Sequence, residues 1–465
     1  MWTLVLCKSG YREDVIVVVL QVMGQPDYGT IQEIIVKVYM KCNLGCTYCY
    51  VFEKADQSHL RLPRVMTIAT ARQVAECVSE HVLRLALPRV RLVVHGGEPL
   101  MAGIPLIRVL VGETRRLIAE KTGGRSQLYV SMQTNGVLLT NRRILDALHE
   151  LGIHVGVSID GDKDTHDQKR RTLPTLSHPE GLPTFERVHS GIELMRNLYP
   201  GMFSGLLCYV DVASDPAAVH DALVALRPGV IDYLWPLGHW NDLPPGLDPS
   251  GATTPYADWL IKLWKYHLAL PDEPEPPRIR YFDMLITQLM SGWNPMELIG
   301  LPVRGALVID TAGNYNLGDA LSVVADGMME LRWRATRLEY KTARLKQGTR
   351  MGVFNCSIHD AAITGMQSNT HLGIKRMAHD GPLLCPTCMD CEWRMDCGGG
   401  HYPTRWKQGS GFWNPSVYCA DLKKLLSFAS GLYARLRVME AYHRERTETC
   451  AAFSDVLHQR AAQLQ

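Results

Sequence analysis

The sequence predicts an α/β protein in which a parallel sheet built of βα units is followed by a cysteine-rich second module. From Ile34 onward, apolar β-branched runs alternate with amphipathic helical stretches, and this alternation is typical of parallel sheets. Of the 13 cysteines, three lie around residue 45 and five lie between Cys385 and Cys419. In so long a chain, such grouping indicates metal binding rather than disulfide bonding.

Length and charge exclude several classes of function. A chain of 465 residues predicts two or three domains. The formal net charge is +2, from 49 basic and 47 acidic residues, which argues against an extended nucleic-acid or anionic-membrane surface. The apolar run Val15–Leu20 is too short to span a bilayer. Together with the metal-type cysteines, these features predict a cytoplasmic protein with no nucleic-acid or membrane partner.

Six strands and five intervening helices are predicted in the first half of the chain. The strands are Ile34–Met40, Arg91–His95, Gln127–Met132, His154–Ile159, Ser204–Val210 and Ile231–Leu237. The helices are Thr67–Leu87, Pro105–Lys121, Asn141–Leu151, Phe185–Leu198 and Pro216–Leu226. Functional groups are expected at the carboxyl ends of such strands.

Three cysteines follow the first strand with the spacing C-x3-C-x2-C: Cys42, Cys46 and Cys49. A [4Fe–4S] cluster normally takes four thiolates, so a set of three leaves one iron open to a ligand that is not protein. A zinc site or three core thiols are the alternatives, and zinc normally requires a fourth ligand.

With the aromatic Tyr48 before the last cysteine, this segment resembles the signature of the radical S-adenosylmethionine (radical SAM) enzymes. The resemblance implies a partial (β/α)6 barrel, and SAM chelated by its amine and carboxylate on the open iron. It also implies a reducing partner such as ferredoxin or flavodoxin. The reduced cluster of that family cleaves SAM to a radical that abstracts hydrogen, and the protein positions this chemistry.

Short polar segments follow the second, third and fourth strands. They contribute these candidate cofactor-binding residues: Gly96, Gly97, Glu98, Gln133, Asn135, Ser158 and Arg170. The family resemblance implies that the Gly-Gly-Glu segment binds the SAM amine, that the side-chain amides reach SAM, and that Ser158 and Arg170 hold its carboxylate. A strand-to-helix turn and a solvated charge run are the alternatives for the first and last segments.

The second module carries a complete set of four cysteines, Cys388, Cys391, Cys397 and Cys419. Four thiolates suit either a closed [4Fe–4S] cluster or structural zinc, and spacing does not separate the two. Cys385 is a spare or alternative ligand, or a structural thiol.

This layout resembles the SPASM domain, the auxiliary-cluster extension of peptide-modifying radical SAM enzymes. Gly318 and His401 stand where that pattern has cysteines of an inner auxiliary cluster, so we expect one auxiliary [4Fe–4S] cluster. Asp319 ends a predicted hairpin over Val308–Asp319, and its carboxylate is a candidate base. A solvated aspartate at the end of a hairpin is the alternative.

The predicted organisation has five parts. They are an N-terminal extension over 1–30, a radical SAM partial barrel over 31–237, connecting loops and helices over 238–304, a SPASM-like domain over 305–426 and a C-terminal helical tail over 427–465.

A narrower resemblance, to the Fxs-type cyclophane-forming maturases, covers most of residues 31–426. It rests on Tyr50–Ser58, Trp240–Pro245, the hairpin ending in Asp319, the triple glycine 398–400 and Gly411–Cys419. It implies a carbon–carbon crosslink between an aromatic ring and a nearby β-carbon, closing a three-residue ring in a ribosomally made precursor peptide. A maturase that forms thioethers or oxidises a sulfatase residue, and a zinc-stabilised peptide-binding scaffold, remain alternatives.

Overall fold

The computed structural model describes residues 5–8, 15–18, 31–271, 275–291, 298–300, 306–316, 318–327 and 384–434. The predicted C-terminal tail lies outside the described residues from 435 onward, and so does most of the N-terminal extension. None of the helices in the described ranges is long and apolar enough to cross a lipid bilayer.

Eleven strands are described. They are β1 Val5–Lys8, β2 Val15–Val18, β3 Glu33–Tyr39, β4 Arg89–Gly96, β5 Gln127–Thr134, β6 Ile153–Ser158, β7 Phe203–Tyr209, β8 Val230–Leu234, β9 Arg278–Ile279, β10 Ala306–Ile309 and β11 Tyr315–Asn316. Strands β1 and β2 pair with each other as an antiparallel hairpin, while the other nine form one sheet in the order β11-β10-β3-β4-β5-β6-β7-β8-β9.

The helices lie mainly between the strands. They are α1 Ile68–Arg84, α2 Ile104–Thr122, α3 Arg142–Glu150, α4 Lys163–Lys169, α5 Phe185–Leu198, α6 Pro216–Ala225, α7 Pro255–Leu268, α8 Arg280–Ser291, α9 Pro386–Met389, α10 Arg394–Cys397 and α11 over 419–434. Polar side chains define several beginnings: the Thr67 hydroxyl accepts the Thr70 N–H of α1, and Asp162 accepts the Thr165 N–H of α4.

Strands β3 to β8 are all parallel to their neighbours and follow the order of the chain. This confirms the predicted α/β class and all six predicted parallel strands. Successive side chains of a strand point to opposite faces of the sheet. Val36 and Val38 of β3 join the core beneath the helices, so Lys37 faces the opposite side of the sheet. That opposite side is the interior of the barrel.

Both edges of the six-stranded sheet are covered. Strand β10 pairs in parallel with β3, and β9 pairs in parallel with β8. The short strand β9 was missed by sequence reasoning, which placed it among the connecting loops and helices of residues 238–304. Within the described residues, the outer edges of the sheet are therefore the two-residue strands β9 and β11, which offer little backbone for an added peptide strand.

The second module packs on the same core as the barrel. The predicted hairpin is confirmed, with Val308 opposite Asn316 in antiparallel register. Helix α11 contributes Leu422, Leu425 and Leu426 to the barrel core. Its Asp421 carboxylate accepts the backbone N–H of Ala257 at 2.8 Å, at the start of α7. The two modules thus share one sheet and one core.

Candidate functional site

The loop that carries Cys42, Cys46 and Cys49 is held from two sides by backbone hydrogen bonds. On one side, the N–H groups of Gly97 and Glu98 donate to the carbonyls of Tyr39 and Lys41 at 2.8 and 3.0 Å. On the other side, the N–H groups of Gly45 and Thr47 donate to the carbonyls of residues 171 and 169 at 2.9 and 3.2 Å. The loop is therefore fixed between the ends of β4 and α4.

The two glycines of the Gly-Gly-Glu segment let the cysteine loop lie close to the end of β4. A Cβ built on Gly96 would lie 2.3 Å from the Tyr39 carbonyl oxygen, and one on Gly97 would lie 2.2 Å from that of Lys41. A side chain at either position would displace the cysteine loop. The structure thus gives both glycines a packing role, and their contact with SAM stays a prediction.

The three thiols occupy a poorly solvated site. Burial raises the pKa of Cys42 to about 12, and it also raises the pKa values of Cys46 and Cys49. The Cys42 sulfur accepts the Leu44 N–H at 3.4 Å and the Asn135 amide at 3.6 Å. Thiolates in such a site need a positive charge beside them, and a metal cluster supplies it. The donor set therefore fits three-thiolate ligation of an iron–sulfur cluster.

Among the described residues, no three His, Cys, Asp or Glu side chains are grouped as ligands of a single metal ion. The thiolates of a [4Fe–4S] cluster each bind a different iron. They do not have to converge as the ligands of a mononuclear site do.

Glu98 is fully buried and bridges two strand ends. Its Oε1 accepts the Thr134 hydroxyl at 2.8 Å and the Leu100 N–H at 3.0 Å, while Oε2 accepts the Asn135 N–H at 2.8 Å. Burial raises the pKa of this carboxyl, and the donors oppose the rise. Oε2 has capacity for one more donor, so the predicted contact with the SAM amine remains open to test.

The two candidate amides lie in different places. The Asn135 side chain donates to Asn43 Oδ1 at 2.8 Å and thereby contacts the cysteine loop. Gln133 Oε1 lies 3.1 Å from His95 Nε2 on the interior face of the sheet. Only Asn135 is therefore brought directly to the predicted cluster site.

Arg170 is the best-supported candidate ligand for a carboxylate. It is 7% exposed, and its Nη1 donates to the Tyr48 hydroxyl at 2.6 Å. That hydroxyl donates in turn to Asp160 Oδ2 at 2.5 Å. The buried Nε of Arg170 has no partner among the described residues. A buried N–H left without an acceptor fits an external anion such as the SAM carboxylate.

Sequence reasoning missed the contacts that orient this arginine. Tyr48 also stacks on Tyr209, with ring centroids 3.8 Å apart, and Asp160 accepts the Tyr209 N–H at 3.0 Å. The predicted partner Ser158 is half-buried at the last position of β6. The aromatic position inside the cysteine motif was a visible signal, whereas its stacking partner on β7 was not.

Asp319 lies in the interior of the barrel rather than at a solvated hairpin end. Its Oδ1 forms an ion pair with Lys37 Nζ at 2.8 Å, and the two side chains are 13% and 3% exposed. Asp319 lies close enough to His95 and Tyr50 for its negative charge to act on their pKa values, in the raising direction. Lys37 was missed, although a lysine between valines in an apolar strand was a detectable signal.

Cys388, Cys391, Cys397 and Cys419 line one solvent-connected cavity of about 350 Å³. Burial raises the pKa of Cys388 to about 12 and that of Cys397 to about 11. Cys385 is buried and close to Cys388, but it does not line this cavity. Four thiols around one cavity fit a closed metal–thiolate centre, with Cys385 behind it.

His401 lines a neighbouring cavity of about 330 Å³ together with Trp235, Tyr281 and Tyr418. Burial lowers the pKa of His401 to about 4, so the imidazole is neutral. His401, which stands where the SPASM pattern has a cysteine of the inner auxiliary cluster, is thus surrounded largely by aromatic side chains.

Comparisons with known proteins agree with this geometry. A family model described as the radical SAM superfamily matches residues 36–210. A serine-type anaerobic sulfatase-maturating enzyme of Bacteroides thetaiotaomicron is 32% identical over 155 residues, which are 33% of this chain and 34% of that enzyme. A cysteine-type anaerobic sulfatase-maturating enzyme of Clostridium perfringens is 30% identical over 169 residues, which are 36% of this chain and 41% of that enzyme. The chain thus matches about a third to two fifths of the length of these curated relatives.

Solved structures share the fold over a longer span. The structure of anSMEcpe with bound AdoMet and Kp18Cys peptide superposes with a TM-score of 0.65 at 20% identity, covering 87% of this chain and 98% of that one. Streptococcus suis SuiB bound to precursor peptide SuiA gives a TM-score of 0.54 at 11% identity, covering 84% and 76%. The cysteine loop, the parallel strands and the family match lead to one conclusion: residues 36–210 form a radical SAM domain, whose cofactors are a [4Fe–4S] cluster and S-adenosylmethionine.

Proposed function

We propose that the whole chain is a radical SAM oxidoreductase that matures a ribosomally synthesised precursor peptide. The observation that carries this proposal is the position of Asp319. The second module places its carboxylate in the barrel interior, 2.8 Å from Lys37, on the side of the sheet where the cysteine loop lies. A substrate segment in the barrel would meet groups from both modules. Relatives named as sulfatase-maturating enzymes, and solved structures that hold peptides, support a peptide substrate.

We further propose that the product is a three-residue cyclophane. The peptide loses a hydrogen atom from a β-carbon, that carbon bonds to a ring carbon two residues away, and the ring then gives up one electron and one proton. The product is therefore two hydrogens lighter. We assign the proton to Asp319. Cys388, Cys391, Cys397 and Cys419 would hold an auxiliary [4Fe–4S] cluster, which would supply an acceptor for the electron. The Fxs-type sequence segments support this product.

One of those segments has a structural role. The Trp240 indole N–H donates to the Pro415 carbonyl at 2.8 Å, and its backbone N–H donates to the carbonyl of Trp406. The loop Trp240–Pro245 therefore joins the connecting region to the second module. These contacts give Trp240 a packing role between the two regions.

Two other functions are separable by experiment. A maturase that oxidises a sulfatase residue is favoured by the names of the curated relatives. A zinc-stabilised scaffold needs ligands gathered around a single ion, and no such group is found among the described residues. Metal analysis separates the scaffold from both enzymes, because only the enzymes contain iron.

The partners and the cellular location follow from the proposed chemistry. We propose ferredoxin or flavodoxin as the reductant, and neither nucleic acid nor membrane as a partner. The ten cysteines whose side chains the structure describes are all free thiols, which supports a reducing cytoplasm. The five-part domain division likewise remains a proposal.

The direct test incubates the reconstituted, reduced protein with SAM and the short peptide encoded beside it. We expect 5′-deoxyadenosine and a peptide lighter by two hydrogens, with a three-residue block that resists fragmentation in tandem mass spectrometry. A matched reaction with Cys46→Ala should give neither. Production of 5′-deoxyadenosine with an unchanged peptide mass would count against the proposal, while a mass loss without the resistant block would favour the sulfatase-type oxidation.

A further inference from the structure

Arg405 is a buried cation that contacts only backbone carbonyls through hydrogen bonds. It is 7% exposed. Its Nε donates to the Gly399 carbonyl at 3.0 Å, and its Nη2 donates to the carbonyls of Gly400, at 2.9 Å, and Gly398. Its Nη1 has no hydrogen-bond acceptor in the part of the chain that the structure describes.

The triple glycine is shaped around this guanidinium. Gly398, Gly399 and Gly400 have φ angles of 58°, 81° and 74°, a left-handed conformation that other residues rarely adopt. A Cβ on Gly399 would lie 2.8 Å from the Arg405 Cζ atom. Three consecutive residues thus accept an unusual backbone so that their carbonyls point to one buried cation.

Carbonyls solvate a cation, but they do not neutralise it. Among the described residues, no aspartate or glutamate forms an ion pair with Arg405. A buried charge without a counter-ion is strongly unfavourable. Gly399, whose carbonyl accepts the Arg405 Nε–H, lines the same cavity as the four cysteines. The Arg405 guanidinium carbon also lies 5.7 Å from the centre of the uncharged Tyr402 ring. The four-cysteine cavity is therefore the source of negative charge available to it.

We propose that Arg405 is the counter-ion of the metal–thiolate centre on Cys388, Cys391, Cys397 and Cys419, and that it raises the reduction potential of that centre. This inference rests on the auxiliary cluster proposed above. Reduction adds one electron and therefore one negative charge. A fixed cation in a poorly solvated site stabilises the reduced form more than the oxidised form. Arg405 would thus favour acceptance of the electron that the peptide releases.

The test measures the potential of the auxiliary cluster alone. The full chain with Cys42→Ala, Cys46→Ala and Cys49→Ala carries only the auxiliary site, and it is reconstituted and titrated under EPR. Adding Arg405→Gln should move the potential to a more negative value at unchanged iron content. Arg405→Lys keeps the charge and should recover most of the shift. An Arg405→Gln protein with full iron and an unchanged potential would overturn the proposal.

Lys423 supplies the matched control, since it lines the same cavity but is exposed. Water screens an exposed charge, so Lys423→Gln should shift the potential less than Arg405→Gln. An equal or larger shift would contradict the special role of Arg405.

Failure to load iron is also informative. If Arg405→Gln binds no iron while Arg405→Lys does, and metal-free Arg405→Gln unfolds at the parent's temperature, the centre requires the cation, as proposed. If neither variant binds iron, the positive charge is not what the centre requires, and the proposal is wrong. If the metal-free chain itself is destabilised, the role is structural and the proposal is wrong. If the parent of this series binds zinc and no iron, the auxiliary-cluster assignment fails first, separately from any effect of Arg405.

Discussion

The two cysteine regions each contain a buried arginine, and the two arginines are satisfied in opposite ways. Arg170, beside the three-cysteine loop, contacts the Tyr48 hydroxyl and lies 3.9 Å from Asp160 Oδ2, yet its Nε is left without a partner. Arg405, beside the four-cysteine cavity, has three carbonyls and no carboxylate among the described residues. The first is already balanced and can receive a ligand from outside. The second needs a resident anion.

The same contrast appears in the numbers of thiols. Three thiols leave one iron for an exchangeable cofactor, whereas four close the coordination. On the proposed assignment of the two cysteine sets, the barrel mouth would serve binding and release, and the second module would hold a permanent centre.

Removing one thiol from each region should have different consequences. Cys46→Ala should abolish SAM cleavage, because the cluster that binds SAM loses one of its three ligands. Cys388→Ala should leave SAM cleavage measurable while abolishing the two-hydrogen mass loss of the peptide. Assays of 5′-deoxyadenosine and peptide mass on the same samples separate the two. Loss of SAM cleavage in Cys388→Ala, with iron retained at the first site, would contradict the division.

Lys37 and Asp319 connect the two regions through a nearly buried ion pair. Lys37→Met leaves the carboxylate buried and unpaired, so unfolding should become easier by about 3–5 kcal/mol. The double variant Lys37→Met/Asp319→Leu should recover most of that loss. Urea unfolding measures both.

The pair between Arg108 and Glu150 provides the control, since these side chains are 51% and 60% exposed. Arg108→Met should cost less than about 1 kcal/mol. If Lys37→Met costs no more than this control, the interior pair does not hold the modules together.

Arg170→Gln tests whether the orphaned Nε receives the SAM carboxylate. Loss of a charged hydrogen bond removes about 1.5–3 kcal/mol, so SAM binding should weaken roughly 10- to 100-fold. Isothermal titration of the reconstituted protein gives the affinity. Arg108→Gln should leave the affinity for SAM unchanged. An Arg170→Gln protein that binds SAM as tightly as the parent would show that Arg170 does not bind the SAM carboxylate.

The cysteine sets and the strands were predictable from the sequence, whereas the contacts between residues far apart in the chain were not. Cys42, Cys46 and Cys49, and the four-cysteine set, are recognised by local spacing. The predicted strands were confirmed because apolar periodicity is local too. The ion pair of Lys37 with Asp319 joins residues far apart in the sequence, and no local pattern specifies it. Strand β9 has two residues, too few for a periodic signal.

Burial also gives single residues roles that their sequence context does not predict. Arg170 stood in a charged run that is usually solvated, yet helix α4 turns it inward. Its predicted role in binding the SAM carboxylate stays a prediction, which this inward orientation supports. Glu98 was expected to face a ligand, but its carboxylate first closes the gap between two strand ends. Such roles depend on three-dimensional neighbours that composition and spacing do not reveal.

His166, four residues before Arg170, should make the stability of the fold depend on pH. Its Nδ1 accepts the Asp160 N–H at 3.2 Å, which requires a neutral ring. Burial, aided by Arg170, lowers the pKa of His166 to about 3. The unfolded chain, with a pKa near 6.5, therefore binds the extra proton first, and stability falls as the pH falls. Between pH 7 and pH 5 the loss should be about 2 kcal/mol.

His166→Gln should flatten that pH dependence relative to the parent, as measured by urea unfolding at several pH values. The exposed His178 gives a control, because His178→Gln removes an imidazole outside the buried network. An unchanged slope in His166→Gln would show that this ring does not link acid to unfolding.

The smallest effect tests the other arginine through its glycines. Gly399 and Gly409 have similar φ angles, 81° and 88°, but only Gly399 has Arg405 in the way of a Cβ, and Gly409 has open space. An alanine costs about 1–2 kcal/mol at either position through backbone strain. Overpacking should add about 1–3 kcal/mol at Gly399 alone. Urea unfolding and iron content of the two variants, measured side by side, isolate the steric part. That part acts on the Arg405 guanidinium and also on Leu384, whose Cδ2 would lie 2.8 Å from the new Cβ. Gly399→Ala should therefore lose iron from the four-cysteine site more readily than Gly409→Ala. Equal iron loss in the two variants would show that Gly399 does not act on the metal centre through Arg405.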